Sequence, residues 1–342
     1  MSDQKIKCVV WDLDQTLWNG ILTENKELTI SPLVVRTIKE LDCRGILQSI
    51  ASKNDYGPAM EQLEAFGLSQ YFIYPQISWN PKSDAVLAIA KAINIGIDTL
   101  AFVDDQAYER DEVAFAHPEV LCVDAADLPL ILTMERMNPL FVTEDSRNRR
   151  EMYQNDIKRS HVEQEFKGSK EEFLQSLQMK FTLTQAVEED LKRVEELTVR
   201  THQLNSTGDI YSYEELKKLI ASDRHEVLVA QLDDKYGAYG KIGLSLIEKH
   251  EDFWELKLLL MSCRVMSRGV GTVLLNYLVN RVRKRGKKLR ANFVPTDKNR
   301  IMYITYKFGG FKEISVGSHL TVLEADMVQE REIPDYVTVV EG

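Results

Sequence analysis

Two aspartates stand two positions apart in the segment CVVWDLDQTLW, directly after an apolar run. A carboxylate can attack phosphorus to form an aspartyl phosphate, and a neighbouring carboxyl can protonate the leaving oxygen. We therefore predict Asp12 as the catalytic nucleophile and Asp14 as its acid partner. Two anions that face a phosphate need a cation, and hard carboxylate oxygens favour Mg²⁺ as the cofactor.

Other groups that suit a phosphoryl site follow at later predicted strand ends. The segment ASKND supplies Ser52, whose hydroxyl can bind phosphate, with Lys53 and Asn54 beside it as further substrate-binding residues. Lys82 begins a predicted helix, where its charge and the helix amides can hold the transferred phosphoryl group. These residues are predicted to bind the substrate.

A second acidic pair occurs in the segment TLAFVDDQAYERDEV, again after an apolar run. The carboxyl ends of parallel strands meet at one edge of a sheet, so both acidic pairs are expected at the same crevice. The predicted metal ligands are Asp12, Asp14, Asp104 and Asp105.

A glycine-bearing turn follows an apolar strand in LKLLLMSCRVMSRGVGTVLLNYLV. Gly269 and Gly271 let backbone amides approach a phosphate at the start of the next helix, as ligands of the coenzyme A type require. We assign Arg264 and Arg268 to the same ligand-binding turn.

The segment RTHQLNSTG holds Gln203 and Asn205, neutral groups that can position a hydroxylated acyl chain by hydrogen bonding. A helix terminus whose polar side chains satisfy backbone groups explains the segment equally well from its spacing. Both interpretations stay open at this point.

The elements that must position these residues fall into two sets. Alternating strands and helices in the first part predict an α/β domain with a doubly wound parallel sheet. After a polar stretch, hairpin-paired strands covered by helices predict an α+β domain. The predicted strands are 7–11, 45–51, 71–74, 99–103, 120–123, 180–184, 226–231, 237–248, 253–262 and 289–293. The predicted helices are 32–44, 58–66, 82–92, 188–198, 212–221 and 271–283. The predicted domains are 1–140 for phosphoryl transfer, 141–178 as a helical linker and 179–342 as the second domain.

Composition excludes several classes of protein. The 342 residues are 44% hydrophobic and 28% charged, which is typical of a soluble protein with two domains. The net charge of −10 argues against nucleic-acid binding. No apolar run approaches the ~20 residues of a membrane span, so we expect a cytoplasmic protein without a membrane partner. The four cysteines lie far apart without a CxxC pair, which argues against a zinc cage or a disulfide framework.

The ordered motifs of the first part resemble the haloacid dehalogenase (HAD) superfamily, with its aspartate pair and threonine, its hydroxyl residue, its lysine and its acidic pair. Only a short flap fits between Leu17 and Pro32. By analogy with that superfamily, such an open site suits a macromolecular partner. The segments MSRGVG and PTDKNRIMYITYKFGGF are similar to the GNAT acyltransferase fold, although Met266 stands where its loop usually begins with arginine or glutamine.

Together, KCVVWDLDQTLWNG, ASKND, RTHQLNSTG and MSCRVMSRGVG resemble the FkbH-like family over almost the whole chain. The resemblance implies a glyceryltransferase that takes 1,3-bisphosphoglycerate, removes its phosphates and loads the glyceryl unit on an acyl carrier protein for polyketide assembly. It also implies a cysteine-bound glyceryl intermediate. The main competing function is a HAD phosphatase whose GNAT-like domain acetylates a partner or only binds it. A third candidate function is a docking module for a carrier protein, without catalytic turnover.

Cys263 is the favoured acyl carrier, because it precedes the glycine turn and adjoins Arg264, whose charge favours a thiolate. Cys8 also lies in a family motif but is interpreted as a buried strand residue. Cys43 and Cys122 are interpreted as packing, and a core role is the alternative for Cys263 as well. The basic run at 283–290 can either dock an acidic carrier protein or form a solvated helix end.

Overall fold

The computed structural model describes residues 4–24 and 27–342. It divides into two compact units, one up to Ile157 and one from Lys158 onwards. The boundary lies inside a helix, within the stretch 141–178 that the sequence predicts as a linker. Each unit has its own hydrophobic core and is described by itself.

The described part of the first unit contains a parallel sheet of five strands in the order β3-β2-β1-β4-β5. Its central strand is buried at every position, as expected for a sheet that is covered on both faces. The strands are β1 Cys8–Trp11, β2 Leu47–Ser52, β3 Gln76–Ile77, β4 Leu100–Asp104 and β5 Leu121–Asp124.

Helices follow the strands of this sheet and cover it. The first begins with a favourable cap, because Ser31 accepts a hydrogen bond from the amide of Leu33 at 3.2 Å and Pro32 occupies the first turn. The helices are α1 Pro32–Cys43, α2 Tyr56–Ala65, α3 Lys82–Ile93, α4 Ala107–Ala116, α5 Glu144–Arg147 and α6 Arg149–Glu165. The 3₁₀ turns are Ser69–Tyr71, Ile97–Thr99, Ala125–Thr133 and Glu135–Met137.

One predicted strand of the first unit is wrong. The stretch 71–74 forms the end of a 3₁₀ turn and a single bridge between Phe72 and Gln48, and the third strand lies at Gln76–Ile77 instead. Tyr74 has a φ of 51°, in the left-handed region, which interrupts an extended run. Helix α4 was not predicted, although its residues position part of the site.

The second unit is built on a mixed sheet, with the order β11-β12-β10-β9-β8-β7-β6-β13 among its described residues. Most neighbours are antiparallel, whereas β10 pairs with β9 and β13 pairs with β6 in parallel. The strands are β6 Met179–Gln185, β7 His225–Asp234, β8 Gly237–Lys249, β9 Phe253–Met261, β10 Lys288–Phe293, β11 Phe311–Val316, β12 Thr321–Ala325 and β13 Val337–Glu341.

Helices of the second unit pack on this sheet and supply much of its core. Two of them begin with capping boxes, at Ser169 with Glu172 and at Ser212 with Glu215. The helices are α7 Lys170–Ser176, α8 Leu191–Arg200, α9 Tyr213–Ile220, α10 Val270–Arg283 and α11 Arg300–Phe308. The 3₁₀ turns are Glu188–Asp190 and Cys263–Arg268.

The predicted fold class is confirmed: a doubly wound parallel sheet is followed by an α+β domain. Strands β11, β12 and β13 were not predicted. Five of the six positions of β11 are exposed, so its sequence carries no alternation of buried and exposed residues. None of the helices in the described ranges is long and apolar enough to cross a bilayer.

Candidate active site

Asp12 directly follows the central strand of the parallel sheet. Its amide donates to the carbonyl of Val103 on β4 at 2.9 Å, which fixes the backbone at the carboxyl edge of the sheet. The residue is only 4% exposed. The structure thus places the predicted nucleophile where parallel strands form a ligand crevice.

Lys82 joins two of the predicted acidic residues. It is the first residue of α3, and its Nζ lies 2.9 Å from Asp12 Oδ1 and 2.5 Å from Asp104 Oδ2. All three side chains are buried: that of Lys82 is 4% exposed, that of Asp12 is 6% exposed and that of Asp104 is 0% exposed. A single buried cation therefore holds two carboxylates from different strands, which places the three residues at one site.

An acidic group that can hold a metal surrounds this lysine. One carboxylate oxygen from each of Asp12, Asp104 and Asp105 lies within 4.8 Å of the others. Thr16 fixes Asp105, because its hydroxyl accepts from the Asp105 amide at 3.0 Å and donates to Asp105 Oδ1 at 3.4 Å. Three carboxylates exceed the charge of one lysine and offer hard oxygen atoms, so the residues fit Mg²⁺.

The Asp14 side chain lies outside this acidic group, which differs from the predicted metal shell. Its Oδ1 accepts from Trp18 Nε1 at 2.8 Å and from the Leu22 amide at 3.0 Å. Its Oδ2 accepts from Asn54 Nδ2 at 3.0 Å, and the same amide nitrogen lies 3.2 Å from Ser52 Oγ. The flap and the ASKND segment therefore orient the Asp14 side chain.

Lys53 has a partner that the sequence did not predict. Its Nζ forms an ion pair with Glu109 Oε1 at 2.9 Å, and the Glu109 side chain is only 7% exposed. Glu109 lies on α4, the helix that sequence analysis missed, and no local motif marks it. Since the lysine side chain is 32% exposed, its ammonium group can still face a ligand while it is paired with the glutamate.

Burial and charge shift the titration of the site. The pKa of Asp12 is raised to about 6 in total: removal from water is the largest cause, Lys82 opposes it, and the negative charge of Asp104 adds to it. Burial also raises the pKa of Asp104. Lys82 stays charged, because the two carboxylates outweigh its own desolvation and raise its pKa. The site carries an electrostatic strain that a bound cation would relieve.

We predict that stability of the metal-free protein falls as pH rises between 3.8 and about 6 through the titration of Asp12. The folded state binds this proton more tightly than the unfolded state, so deprotonation favours unfolding by about 2–3 kcal/mol. Melting temperatures in EDTA across this range should show a steeper fall for the wild type than for Asp12→Asn. If the melting temperatures of the wild type and of Asp12→Asn changed equally with pH, the titration would not belong to Asp12.

In the second unit, Cys263 begins the 3₁₀ turn directly after β9. It is half-buried and packs against the core of that unit. The Nη2 atom of neighbouring Arg264 donates to the carbonyl of Tyr239 at 3.0 Å. The position at a strand end agrees with the sequence analysis, and so does the alternative of a packing role.

Arg268, predicted to bind substrate, has a structural partner instead. Its Nη1 donates to Glu163 Oε2 at 2.9 Å, and its guanidinium carbon lies 5.7 Å from the ring centre of Phe173. The residue is 5% exposed. This arginine is used to fasten α6 and α7 to the glycine turn, since its charge is paired within the unit.

The two glycines of the turn differ in what surrounds them. Gly269 has a φ of 73°, and a Cβ there would lie 2.4 Å from the hydroxyl oxygen of Tyr336. At Gly271, no described atom outside the adjoining residues and the backbone of α10 lies within 4 Å of the position of a Cβ. Gly269 is thus required by backbone conformation and close packing, whereas open space in front of Gly271 leaves room for a ligand.

The residues Leu204–Ser206 occupy the gap between β9 and β10. These strands pair only as far as Leu256 and Ala291. Beyond that point the Ser206 amide donates to the Leu259 carbonyl at 3.0 Å, and the Val294 amide donates to the Ser206 carbonyl at 3.0 Å. The chain itself therefore satisfies the backbone groups that diverging parallel strands would otherwise expose.

Asn205 and Gln203 consequently have different surroundings. Asn205 is 1% exposed, and its Oδ1 accepts from the amides of Thr207 at 3.1 Å and Gly208 at 2.8 Å. This matches the alternative interpretation, in which the side chain satisfies backbone groups of a turn. Gln203 is exposed and remains free to contact a ligand.

A small apolar cavity of about 150 Å³ lies beside the glycine turn. Residues from the 204–206 segment, β9, the turn, α10 and α11 line it, including Leu204, Met261, Gly269, Gly271, Thr272 and Thr305. Cys263 is not among the described residues that line it. The cavity can accept a short aliphatic chain, whereas the thiol lies outside its wall.

No protein-family model matches this sequence, and no curated protein matches it. Among solved structures, the chain is similar to the N-terminal, phosphatase-domain part of a Bacteroides fragilis protein in complex with Mg, at 26% identity and a TM-score of 0.32. That match covers 42% of each chain, so this chain spans less than half the length of the solved Bacteroides chain.

Two acetyltransferases are also similar in structure. The ribosomal-protein-S18-alanine N-acetyltransferase of Escherichia coli has 15% identity and a TM-score of 0.35, over 44% of this chain and 97% of its own. The PaiA N-acetyltransferase of Thermoplasma acidophilum, in complex with coenzyme A, has 18% identity and a TM-score of 0.35, over 43% of this chain and 98% of its own. These TM-scores are low, so the likenesses carry no argument about function.

Proposed function

We propose that this chain is a glyceryltransferase and phosphatase of the FkbH-like type. It would convert 1,3-bisphosphoglycerate to a glyceryl thioester and load the glyceryl unit on the phosphopantetheine of an acyl carrier protein. The observation that carries the phosphatase half is the buried contact of Lys82 with both Asp12 and Asp104, next to Asp105. The transferase half is supported by the sequence resemblance alone.

In the phosphatase half, a carboxylate oxygen of Asp12 attacks the phosphorus of the phosphate ester. The bond between phosphorus and the substrate oxygen breaks, and Asp14 gives its proton to that oxygen. Water then attacks the aspartyl phosphate, loses a proton to Asp14 and releases inorganic phosphate. Lys82 attracts the phosphoryl oxygens, and Mg²⁺, when bound at the acidic group, neutralises their charge.

In the transferase half, the Cys263 thiolate attacks the carbonyl carbon of the acyl phosphate. The bond from that carbon to the phosphate oxygen breaks, so inorganic phosphate leaves and a thioester remains. The pantetheine thiolate of the carrier protein then displaces the Cys263 sulfur in a thioester exchange. One thioester replaces another, so the exchange needs no further energy source.

A second candidate is a HAD-type phosphatase whose second unit binds an acyl group or a partner without transferring it. Two observations favour it: Arg268 is paired with Glu163, and Leu204–Ser206 fill the gap between β9 and β10. Both leave the glycine turn with fewer groups for a ligand. This candidate keeps the reaction at Asp12 and removes the one at Cys263.

Mass spectrometry of the intact protein distinguishes the two candidates. After incubation with 1,3-bisphosphoglycerate and Mg²⁺, the wild type and Cys43→Ala should carry a glyceryl adduct, whereas Cys263→Ala should carry none. Cys43 is an exposed cysteine outside the turn and is the matched control. Phosphate release without an adduct on any thiol, and without loading of a carrier protein, would refute the transferase.

A further inference from the structure

We propose that one face of α1 docks the acidic carrier protein, an inference that rests on the proposed function. Two adjoining grooves of about 610 and 430 Å³ run along this face and share Glu40 and Cys43 in their walls. We call them the α1 groove. It lies entirely on the first unit: the larger groove runs along α1 from Ile30 to Cys43, and the smaller one lies between the end of α1 and the segment 138–147.

The charge of the α1 groove is opposite to that of the whole protein. Arg36, Lys39 and Arg147 line it and are exposed, and none of them forms an ion pair within residues 4–24 and 27–342. Among the described residues that line it, the one carboxylate is Glu40, which is paired with Arg44 at 2.9 Å. Three uncompensated cations on a chain of net charge −10 favour an acidic partner.

The groove also offers the apolar contacts that a protein partner needs. Val142 lines it and is 47% exposed, and nearby Leu140 is 70% exposed. Val35 and Pro139 contribute further apolar surface. Exposed aliphatic side chains in the same groove as three cations suit an acidic protein surface better than a nucleic acid, because nucleic-acid backbones gain little from aliphatic contacts.

The basic run at 283–290 is a poorer docking site, because neighbouring carboxylates and carbonyls already engage much of it. Arg290 and Lys288 lie 3.1 and 3.5 Å from Glu324. Arg283 donates to the carbonyl of Met327 at 3.2 Å. The run therefore attracts an acidic partner less than its sequence indicates.

The α1 groove begins beside the flap that follows Asp14. Ile30 and Pro32 form one end of the groove, at the junction between the flap that follows Asp14 and the start of α1. A bridge between Asn19 and Thr29 ties the two sides of that flap together. Since the flap leaves the carboxyl edge of the sheet, the groove begins at the edge that carries the phosphoryl site.

The test compares two triple charge reversals of equal size in the full chain. One replaces Arg36, Lys39 and Arg147 with glutamate, and the control replaces Lys284, Lys287 and Lys288 in the basic run. Binding of a phosphopantetheinylated acyl carrier protein is measured by calorimetry at low and moderate salt. Loading of the same carrier and of free pantetheine is measured in parallel.

The groove variant should bind the carrier at least about tenfold more weakly, lose most of the salt dependence and load free pantetheine at the wild-type rate. The control variant should bind the carrier like the wild type. Wild-type affinity of the groove variant, or a loss confined to the control variant, would overturn the proposal. So would a wild-type dimer that the groove variant breaks, because a second copy would then cover the face.

Failure of the proposed function has a different signature. If neither the carrier nor pantetheine is loaded by the wild type, the transferase is wrong, while calorimetry still reports whether the α1 groove binds the carrier. Loss of both carrier binding and loading in both variants would point to a folding defect. Melting temperatures of the variants would reveal such a defect, and the single variants Arg36→Glu and Lys39→Glu then repeat the comparison.

Discussion

Asp12→Asn should lower phosphate release from 1,3-bisphosphoglycerate by at least about 1,000-fold, because the variant has no nucleophile for phosphorus. Its folding should survive. The pKa of Asp12 is raised to about 6 by burial and by Asp104, so a neutral amide of the same shape removes an unfavourable buried charge at neutral pH. Phosphate release and melting temperature in EDTA, both at pH 7.5, measure the two effects.

The control for this prediction is Asp127→Asn, which makes the same change at an exposed position of the first unit. It should leave both phosphate release and melting temperature at their wild-type values. If Asp12→Asn retained more than a tenth of the wild-type turnover, Asp12 would not be the nucleophile. A large drop in its melting temperature would instead show that the Lys82 contact outweighs the repulsion from Asp104.

Much of the first unit could be predicted because its site follows from topology. Apolar runs predict central strands, and polar residues directly after them must meet at one edge of a parallel sheet. Asp12, Lys82 and Asp104 come together for that reason. Glu109 could not be found in this way, since a single acidic residue on an unpredicted helix has no pattern to mark its contact with Lys53.

The second unit shows where sequence patterns stop being informative. The glycine turn after β9 was located correctly, because an apolar strand followed by glycines has few alternatives. The structural role of Arg268 could not be predicted, because its ion-pair partner Glu163 lies 105 positions away in the chain. Likewise, nothing in the sequence RTHQLNSTG indicates that Leu204–Ser206 pair with two diverging strands. Partner choice over such separations is decided by tertiary packing rather than by spacing.

Lys82→Met should have the largest effect on stability. It leaves Asp12 and Asp104 buried without their shared cation, and breaking a buried pair on one side costs about 3–5 kcal/mol. Protonation of Asp12 limits the loss below pH 6, because its pKa is already about 6. The variant should therefore melt well below the wild type in EDTA at pH 7.5, and the difference should shrink at pH 5.5.

Magnesium gives this prediction a second readout. A cation bound by Asp12, Asp104 and Asp105 replaces the missing positive charge, so saturating Mg²⁺ should raise the melting temperature of Lys82→Met more than that of the wild type. Phosphate release should still fall about 100-fold or more, since the phosphoryl oxygens lose their ammonium partner.

The control is Lys91→Met, an exposed position on the same helix, which should behave like the wild type in every condition. The two melting curves test one electrostatic argument. If Lys82→Met melted at the wild-type temperature in EDTA, the carboxylates would not be uncompensated, and the acidic group would lose its reason to attract a metal. If Mg²⁺ raised the melting temperatures of Lys82→Met and of the wild type by the same amount, the cation would bind away from Lys82. Asp12 would then have to act as a nucleophile without a metal beside it.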